Sequence, residues 1–354
     1  MTKVAFFSAQ PYDQRFFDVA NRTTFKSHDF ELIYHTVALS AQTVPLAEGC
    51  DAVCIFVNDM LDADTIEALH DLGVRGVLLR CAGFNNVDLE AARRFGLFIA
   101  RVPAYSPEAV AEHAVALMMT LNRRIHRAYN RVREGNFALD GLLGMTMHGK
   151  TVGVVGTGKI GLATARILHG FGCHVLGFDP MPAAAFEDVG EYVDLEMLLE
   201  QSDIVTLHCP LIPATEHIID VKALGRMKPG AMLINTSRGG LIDTRAVISA
   251  LKLRHLGALA IDVYEQENGI FFLDHSSEII DDDIFQRLMT FPNVLVTGHQ
   301  GFFTAEALSE IAEVTLQNLV CFAAGSSCNN ALVVTAPDRE IDAEKPKLLQ
   351  GRAR

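Results

Sequence analysis

Three side chains in the second half of the chain have types that together suit acid–base chemistry: Arg238, Glu267 and His299. Arginine carries a permanent charge on a planar group that can bind both oxygens of a carboxylate. Histidine titrates near neutral pH and can therefore donate or accept a proton, and a carboxylate bound to its second ring nitrogen fixes which nitrogen carries that proton. The three side chains predict proton transfer to or from a small anionic substrate held by the arginine.

Residue types alone leave other interpretations open at these positions. Glu265 lies two residues before Glu267, so either carboxylate could be the partner of the histidine or a solvated surface group. Arg238 could cap a loop. Most of the 13 histidines are expected to be structural, and we interpret three of them as polar residues of helices or loops: His113, His126 and His148.

A glycine-rich turn, Gly156-Thr-Gly158-Lys159-Ile160-Gly161, follows an apolar run at 152–155 and precedes a predicted helix at 160–168. The first glycine allows a tight turn, the second lets backbone N–H groups approach a pyrophosphate, and the third lets helix and strand pack closely. The helix N-terminus offers unpaired N–H donors and a positive dipole to the phosphates. The turn therefore predicts a dinucleotide site whose contacts are Gly156, Gly158, Lys159, Ile160 and Gly161.

Asp179 strengthens this prediction because it lies at the end of the next apolar run, 23 residues after Gly156. A carboxylate there can accept hydrogen bonds from both hydroxyls of a ribose. It also repels a 2′-phosphate, and the following Pro-Met-Pro at 180–182 supplies no arginine to bind one. The prediction is therefore NAD and not NADP; the alternative is an ordinary turn aspartate.

The elements that must position these residues alternate between strand and helix. From residue 150 onward, six apolar runs each end in a polar or glycine-rich turn, at 152–155, 175–178, 204–207, 232–234, 258–261 and 294–296. Such alternation is typical of an α/β fold in which helices cover both faces of a parallel sheet. Ligands bind outside the carboxyl ends of such strands, and the candidate residues of this half all follow strand ends.

The first hundred residues show the same pattern more weakly, with strand-like runs at 4–7, 31–34, 52–57, 76–79 and 97–99. A long helix is predicted to begin with Ser106 as its N-cap, Pro107 at its first position and Glu108 in its first turn, and to end near Gly135. A second long helix is predicted over 304–324.

We therefore predict two doubly wound parallel-sheet domains, of Rossmann and flavodoxin-like type, with a cleft between them that holds the site. A nucleotide-binding domain at 105–299 would be inserted into a discontinuous substrate domain formed by 1–104 and 300–334. The segment 335–354, which is rich in charge and proline, is predicted to be a flexible tail.

The composition disfavours several classes of partner. The 354 residues carry a formal net charge of -13 without a long Lys/Arg run, whereas nucleic acids and anionic membranes both demand positive surface. No apolar run approaches the ~20 residues of a membrane-spanning helix. Seven cysteines without clustered spacing favour reduced thiols over a disulfide framework or a metal site. Together with an N-terminal apolar run too short for a signal sequence, they predict a cytoplasmic protein.

Four segments resemble those of the D-isomer-specific 2-hydroxyacid dehydrogenases: GVVGTGKIG at 153–161, NTSRGGLID at 235–243, DVYEQE at 262–267 and TGHQGF at 297–302. The resemblance covers nearly the whole chain up to about residue 334. Three segments of the chain are similar to the fermentative D-lactate dehydrogenases of that family: LRCAGFNNVD at 79–88, VPAYSP at 102–107 and LHCP at 207–210. This resemblance implies reduction of pyruvate to D-lactate with NADH; the hand of the product follows from it alone.

The resemblance also implies roles for individual positions. Arg238 would bind the substrate carboxylate and help polarise the ketone, His299 would be the acid/base, and Glu267 its partner. Further substrate contacts would come from Ala82, Gly83, Tyr105 and Phe302. Contacts near the nicotinamide half of the cofactor would come from Cys209, Pro210, Thr215, Thr236, Ser237 and Asp262, where Thr215 stands at a position that often carries Asn in the family.

Two other functions stay open at this point. One is the same chemistry on a larger or aromatic 2-keto acid, on glyoxylate or on phosphite. The other is a NAD-sensing scaffold of the same fold without activity, against which the presence of Arg238, Glu267 and His299 counts. The chain is also predicted to form a homodimer or homotetramer, with the helix after Ser106 as a candidate interface.

Overall fold

A computed structural model describes residues 1–334, and the predicted tail at 335–354 lies outside the described residues. The described chain divides into two compact units, one formed by Met1–Pro103 with the chain from Ile311 onward, the other by Ala104–Glu310. The second division falls inside a helix, whereas the sequence predicted boundaries after residues 104 and 299.

The first unit contains a six-stranded sheet in the order β13-β5-β4-β3-β1-β2, in which β13 alone runs antiparallel. The strands, numbered along the whole chain, are β1 (Thr2–Phe6), β2 (Phe30–Tyr34), β3 (Ala52–Ile55), β4 (Gly76–Leu79), β5 (Phe98–Arg101) and β13 (Ala331–Val333). The helices wholly within residues 1–103 are α1 (Pro11–Thr23), α2 (Ala63–Asp71) and α3 (Leu89–Arg94), with a 3-10 turn at Val44–Ala47. The five parallel strands have the order of flavodoxin-like sheets.

The second unit contains a seven-stranded parallel sheet in the order β12-β11-β10-β9-β6-β7-β8. Its strands are β6 (Thr151–Val155), β7 (His174–Phe178), β8 (Glu191–Tyr192), β9 (Ile204–Leu207), β10 (Met232–Asn235), β11 (Ala258–Ile261) and β12 (Val294–Val296). This is the strand order of Rossmann sheets, extended by one strand, with the reversal of direction between β6 and β9.

The helices of the second unit are α4 (Pro107–Asn122), α5 (Ile125–Arg133), α6 (Lys159–Gly170), α7 (Ala184–Glu187), α8 (Leu195–Gln201), α9 (Val221–Arg226), α10 (Thr244–Lys252) and α11 (Asp283–Met289). A 3-10 turn covers Gly239–Leu241, and α12 (Ala305–Ala324) begins in this unit and ends in the other.

Alternate residues of the central strands enter two separate apolar cores. Leu233 packs in a core with α8, α9 and α10, while its neighbours Met232 and Ile234 pack in the opposite core with α4 and α6. Because side chains alternate across a strand, this pattern requires helices on both faces of the sheet. The predicted fold class is confirmed.

The predicted helix from Ser106 to about Gly135 is wrong in its length. Helix α4 does begin with Ser106 as its N-cap, whose hydroxyl accepts a hydrogen bond from the Ala109 N–H, but it ends at Asn122. Arg124 adopts φ 54°, a left-handed conformation that cannot continue a right-handed helix, and α5 starts after it. Two short strands, β8 and β13, were not predicted.

Within residues 1–334, the structure contains no helix long and apolar enough to cross a membrane.

Candidate active site

The glycine-rich turn joins β6 to α6, and two of its glycines are required by close contacts. A Cβ on Gly161 would lie 1.9 Å from the carbonyl oxygen of Gly156, so only glycine lets the helix pack on the strand. Gly156 has φ +91°, and a Cβ there would lie 2.5 Å from the backbone nitrogen of Cys209. A Cβ on Gly158, the N-cap of α6, would point into open space. The first turn of α6 can therefore present its N–H groups to a phosphate, followed by the exposed Lys159 and the half-buried Ile160.

Asp179 follows β7 and is held by the glycine-rich turn itself. Its Oδ2 accepts a hydrogen bond from the backbone N–H of Thr157 at 2.8 Å, and its Oδ1 accepts one from the N–H of Met181 at 2.9 Å. The carboxylate is thereby fixed beside the turn. Oδ2 also accepts from the Thr157 hydroxyl at 3.3 Å, so Oδ1 keeps the capacity to accept another hydrogen bond, which suits a ribose hydroxyl.

The loop after β9 contacts both the glycine-rich turn and the arginine-bearing turn. The Ser237 hydroxyl donates to the carbonyl oxygen of Cys209 at 2.7 Å. Burial raises the pKa of the Cys209 thiol to about 11, so this side chain stays neutral at physiological pH. The Thr215 hydroxyl donates to the carbonyl oxygen of Pro210 at 2.6 Å and accepts from the Ile212 N–H at 2.9 Å, so it closes its own loop.

Arg238 lies in a turn that the buried Asn235 organises after β10. The Asn235 amide donates to the carbonyl oxygen of Arg238 at 2.8 Å and accepts from the N–H of Ser237 at 3.0 Å. The Arg238 guanidinium donates to the Ser237 carbonyl at 2.7 Å and stays half-buried. The hydroxyl oxygen of Thr236 is buried and has no hydrogen-bond partner among residues 1–334. A buried hydroxyl without a partner after β10 fits a site that a cofactor completes.

The arginine turn packs directly on the loop after β11. A Cβ on Gly239 would lie 2.1 Å from the carbonyl carbon of Tyr264 and 2.3 Å from the nitrogen of Glu265. No side chain larger than hydrogen fits there without backbone movement. This close approach brings Arg238 and the segment that carries Glu267 to the same edge of the sheet.

His299 and Glu267 form a hydrogen-bonded pair. The Nδ1 of His299 lies 2.9 Å from Oε1 of Glu267, and the two side chains are 17% and 21% exposed. Oε2 of Glu267 accepts from the backbone N–H of Tyr264 at 3.0 Å, which fixes the carboxylate. With Nδ1 engaged, Nε2 is the nitrogen available for proton exchange.

Glu265, the alternative partner, is engaged elsewhere. Its Oε1 lies 2.7 Å from Nε2 of His217, and its Oε2 accepts from the Thr244 hydroxyl at 2.8 Å. Glu267 is therefore the carboxylate that meets the imidazole of His299.

Asp262 holds the turn that carries His299. Its carboxylate is 1% exposed and accepts from the N–H groups of Gln300 at 2.9 Å and Gly301 at 2.8 Å. His299 has φ 54°, which costs on the order of 1–3 kcal/mol for a non-glycine residue and persists only where surrounding contacts enforce it. The two hydrogen bonds to Asp262 are such contacts, so Asp262 holds the turn in which His299 lies.

Two residues to which the sequence assigned no role in this site, Thr297 and His113, also contact Asp262. The Thr297 hydroxyl donates to Oδ1 of Asp262, and Nε2 of His113, on α4, lies 3.2 Å from that hydroxyl and 3.3 Å from the same carboxylate oxygen. Burial alone would raise the pKa of Asp262, but hydrogen bonds from His113 and Thr297 lower it. The position of His113 on α4, 184 residues from Thr297, gave no local signal of this contact.

The predicted substrate contacts fall in both units. Tyr105 and Phe302 lie in the second unit, edge to face with ring centroids 6.4 Å apart. Ala82 and Gly83 lie in the first unit, where the carbonyl oxygen of Ala82 accepts from the Arg101 guanidinium at 2.7 Å.

Residues 115–301 match the family model described as the NAD-binding domain of the D-isomer-specific 2-hydroxyacid dehydrogenases. Over 333 residues the chain is 60% identical to 2-hydroxyacid dehydrogenase A of Aspergillus oryzae, covering 94% of this chain and 95% of that protein. It is 53% identical to the D-lactate dehydrogenase of Escherichia coli, covering 94% and 100%. The apo structure of the Escherichia coli enzyme matches with a TM-score of 0.85 over 94% of this chain and 100% of that one.

Proposed function

Because the chain belongs to the D-isomer-specific 2-hydroxyacid dehydrogenases, NAD-dependent oxidoreductases that act on CH–OH groups, we propose that it reduces pyruvate to D-lactate. The observation that carries the proposal is the 2.9 Å pair between His299 and Glu267, at the sheet edge where the Arg238 turn packs. A scaffold that only senses NAD needs no such pair. The names of the Escherichia coli and Curvularia clavata relatives, both D-lactate dehydrogenases, support the substrate and its hand.

In the proposed mechanism, the Arg238 guanidinium pairs with the carboxylate of the keto acid and draws electron density from the adjacent ketone. Protonated His299 donates from Nε2 to the ketone oxygen as that oxygen gains charge. Glu267 stabilises the imidazolium and keeps Nδ1 as its own hydrogen-bond partner. NADH supplies the hydride when bound. In the oxidative direction, neutral His299 accepts the hydroxyl proton at the same nitrogen.

The cofactor-holding residues fit NAD. We assign the pyrophosphate to the turn from Gly156 to Gly161 and the adenosine ribose to Asp179. The nicotinamide half would lie near Cys209 and Thr236, whose buried hydroxyl lacks a hydrogen-bond partner within the described residues. The Thr215 hydroxyl bonds within its own loop, and the Asp262 carboxylate bonds the turn that carries His299, so both side chains already have partners before the cofactor binds.

The test is steady-state oxidation of NADH with a panel of keto acids, followed by chiral analysis of the product. We expect pyruvate to give a high kcat/KM and the product to be D-lactate. A phenylpyruvate value far above the pyruvate value would move the assignment to a larger substrate. Tight NADH binding without oxidation of NADH by any keto acid would favour a non-catalytic sensor.

We also infer that the chain works as a homodimer or homotetramer in the cytoplasm. Helix α5 has no buried residue, and the chain through 143 leaves several large apolar side chains in solvent: Ile125, Tyr129, Val132, Phe137, Leu139 and Leu143. Monomeric proteins rarely expose contiguous apolar surface of this kind. We infer that a second copy of the chain covers this surface.

A further inference from the structure

Two bulky residues with left-handed backbone conformations lie side by side. Phe272 has φ 66° and His299 has φ 54°. Their ring centroids are 5.6 Å apart, and the ring planes are tilted by 37°. A left-handed conformation is an outlier for a bulky side chain, and such outliers cluster at functional sites because the surrounding structure has to enforce them.

Phe272 is held in place by the segment that also supplies Glu267. The N–H groups of Ile270 and Phe271 donate to the Glu267 carbonyl oxygen at 3.0 Å, which starts a turn directly after the carboxylate. Phe271 is 7% exposed and packs with Tyr264 and Phe285 in a small apolar cluster of its own.

A hydrogen bond also ties this cluster to the start of α11. The hydroxyl of Tyr264 donates to Asp282, the N-cap of α11, at 2.8 Å. Phe272 also packs against this cluster, half-buried, while its ring lies 5.6 Å from the imidazole. The segment from Tyr264 to Asp282 thus presents both a carboxylate and an aromatic ring to His299.

A single hydrogen bond to Nδ1 does not fix the plane of an imidazole, because rotation about the Cβ–Cγ bond of histidine is broad. An aromatic ring packed on the imidazole removes that freedom and keeps water from the pair with Glu267. Ring pairs at 4.5–7 Å are favourable contacts in their own right.

We propose that Phe272 is a positioning residue that sets the ring orientation of His299 for proton transfer. The proposal rests on the proposed function, in which His299 is the proton donor. It assigns to Phe272 no contact with the keto acid and none with the cofactor.

The experiment compares Phe272→Leu, Phe272→Gly and Phe272→Tyr with the wild type, in the full-length protein with NADH and pyruvate. For Leu and Gly we expect kcat to fall by about 10-fold, as part of the 10²–10⁴ that general acid catalysis contributes. NADH affinity should stay unchanged, and the solvent deuterium isotope effect on kcat should rise because proton transfer becomes more rate-limiting. Phe272→Tyr, which keeps the ring, should restore kcat.

The glycine variant separates positioning from folding. Glycine adopts positive φ without strain, which offsets part of the lost packing, so the Tm should fall no further than in Phe272→Leu. Phe171→Leu, at the end of α6 and 40% exposed, is the matched control and should leave kcat and the isotope effect unchanged.

Three results would overturn the inference. One is wild-type kcat in Phe272→Gly while His299→Gln is inactive. Another is a fall in kcat that follows a fall in Tm across the Leu and Gly variants. The third is unchanged pyruvate turnover with a new ranking of keto acids, which would make Phe272 a specificity residue. Failure of the proposed function is distinguishable, because the wild type itself would then reduce no keto acid.

Discussion

At the scale of single residues, His299 combines a strained backbone with a paired imidazole, and its substitution should separate chemistry from binding. We expect His299→Gln to lower kcat by on the order of 10²–10⁴, because the proton donor is lost. NADH affinity, measured by fluorescence titration, should be retained. His174→Gln, at an exposed position, is the control. Equal loss of turnover and NADH affinity would mean that His299 has only a structural role.

Asp179 should decide between the two nicotinamide cofactors. We expect Asp179→Ala to lower kcat/KM for NADH roughly 10-fold or more, since a hydrogen bond to a charged group contributes about 1.5–3 kcal/mol. The ratio of kcat/KM for NADPH to kcat/KM for NADH should rise, because the repulsion of a 2′-phosphate is removed. Steady-state kinetics with both cofactors provide the measurement, and the exposed Asp188→Ala is the control. An unchanged ratio would contradict the ribose assignment.

At the scale of elements, Gly239 brings the loops after β10 and β11 into direct backbone contact. Gly239→Ala places a Cβ 2.1 Å from Tyr264, so the backbones must separate at a cost of about 1–3 kcal/mol. We expect both Tm and kcat to fall. Gly225→Ala, in α9, meets no atom within 4 Å and should raise stability by up to ~1 kcal/mol without changing kcat. If Gly239→Ala and Gly225→Ala had the same Tm and kcat, the close contact at Gly239 would affect neither stability nor turnover.

The sequence predicted those elements whose signals are local. Apolar runs located the sheet strands within a few residues, except for β8 and β13. The helix from Ser106 was overextended because Arg124, unlike glycine or proline, carries no sequence signal for its left-handed conformation. The loop between β11 and α11 was likewise not anticipated as a folded unit, because its cluster of Tyr264, Phe271 and Phe285 forms only when distant residues meet.

The candidate site was predictable where motifs carry chemistry, as in the glycine turn. It was not predictable where a site residue is held by a contact with a residue far away in the sequence. His113 meets Asp262 and His217 meets Glu265 over long sequence separations, and their spacing gave no hint of either contact. The contacts in the folded structure distinguish Glu265, which meets His217, from Glu267, which meets His299.

At the scale of the whole molecule, the apolar surface around α5 should govern assembly. Tyr129 is 61% exposed and Leu143 is 91% exposed. We expect the double variant Tyr129→Asp/Leu143→Asp to lower the mass measured by light scattering after size exclusion, because a charge at a covered position must be desolvated. Leu253→Asp, 80% exposed at the end of α10, should not change the mass. An unaltered mass in the double variant would argue against this interface.

The response of the fold to acid should depend on Asp262. The folded state lowers the pKa of this carboxyl, so its contribution to stability is present at neutral pH and is lost as pH falls through the folded value. We expect Asp262→Asn to reduce the free energy of unfolding at neutral pH. The difference from wild type should shrink below about pH 4, where the carboxyl begins to protonate in the unfolded chain. Urea unfolding at several pH values measures this, and a pH-independent difference would refute it.

The strand order of the seven-stranded sheet sets the length that a cofactor needs to reach from Asp179 to His299. Asp179 follows β7 and His299 follows β12, and these strands are five neighbours apart. At about 4.8 Å per neighbour the span is about 24 Å. A mononucleotide such as reduced nicotinamide mononucleotide is too short to reach both ends, so it would forgo the Asp179 anchor. We therefore expect the sheet to discriminate between nicotinamide cofactors by length as well as by charge.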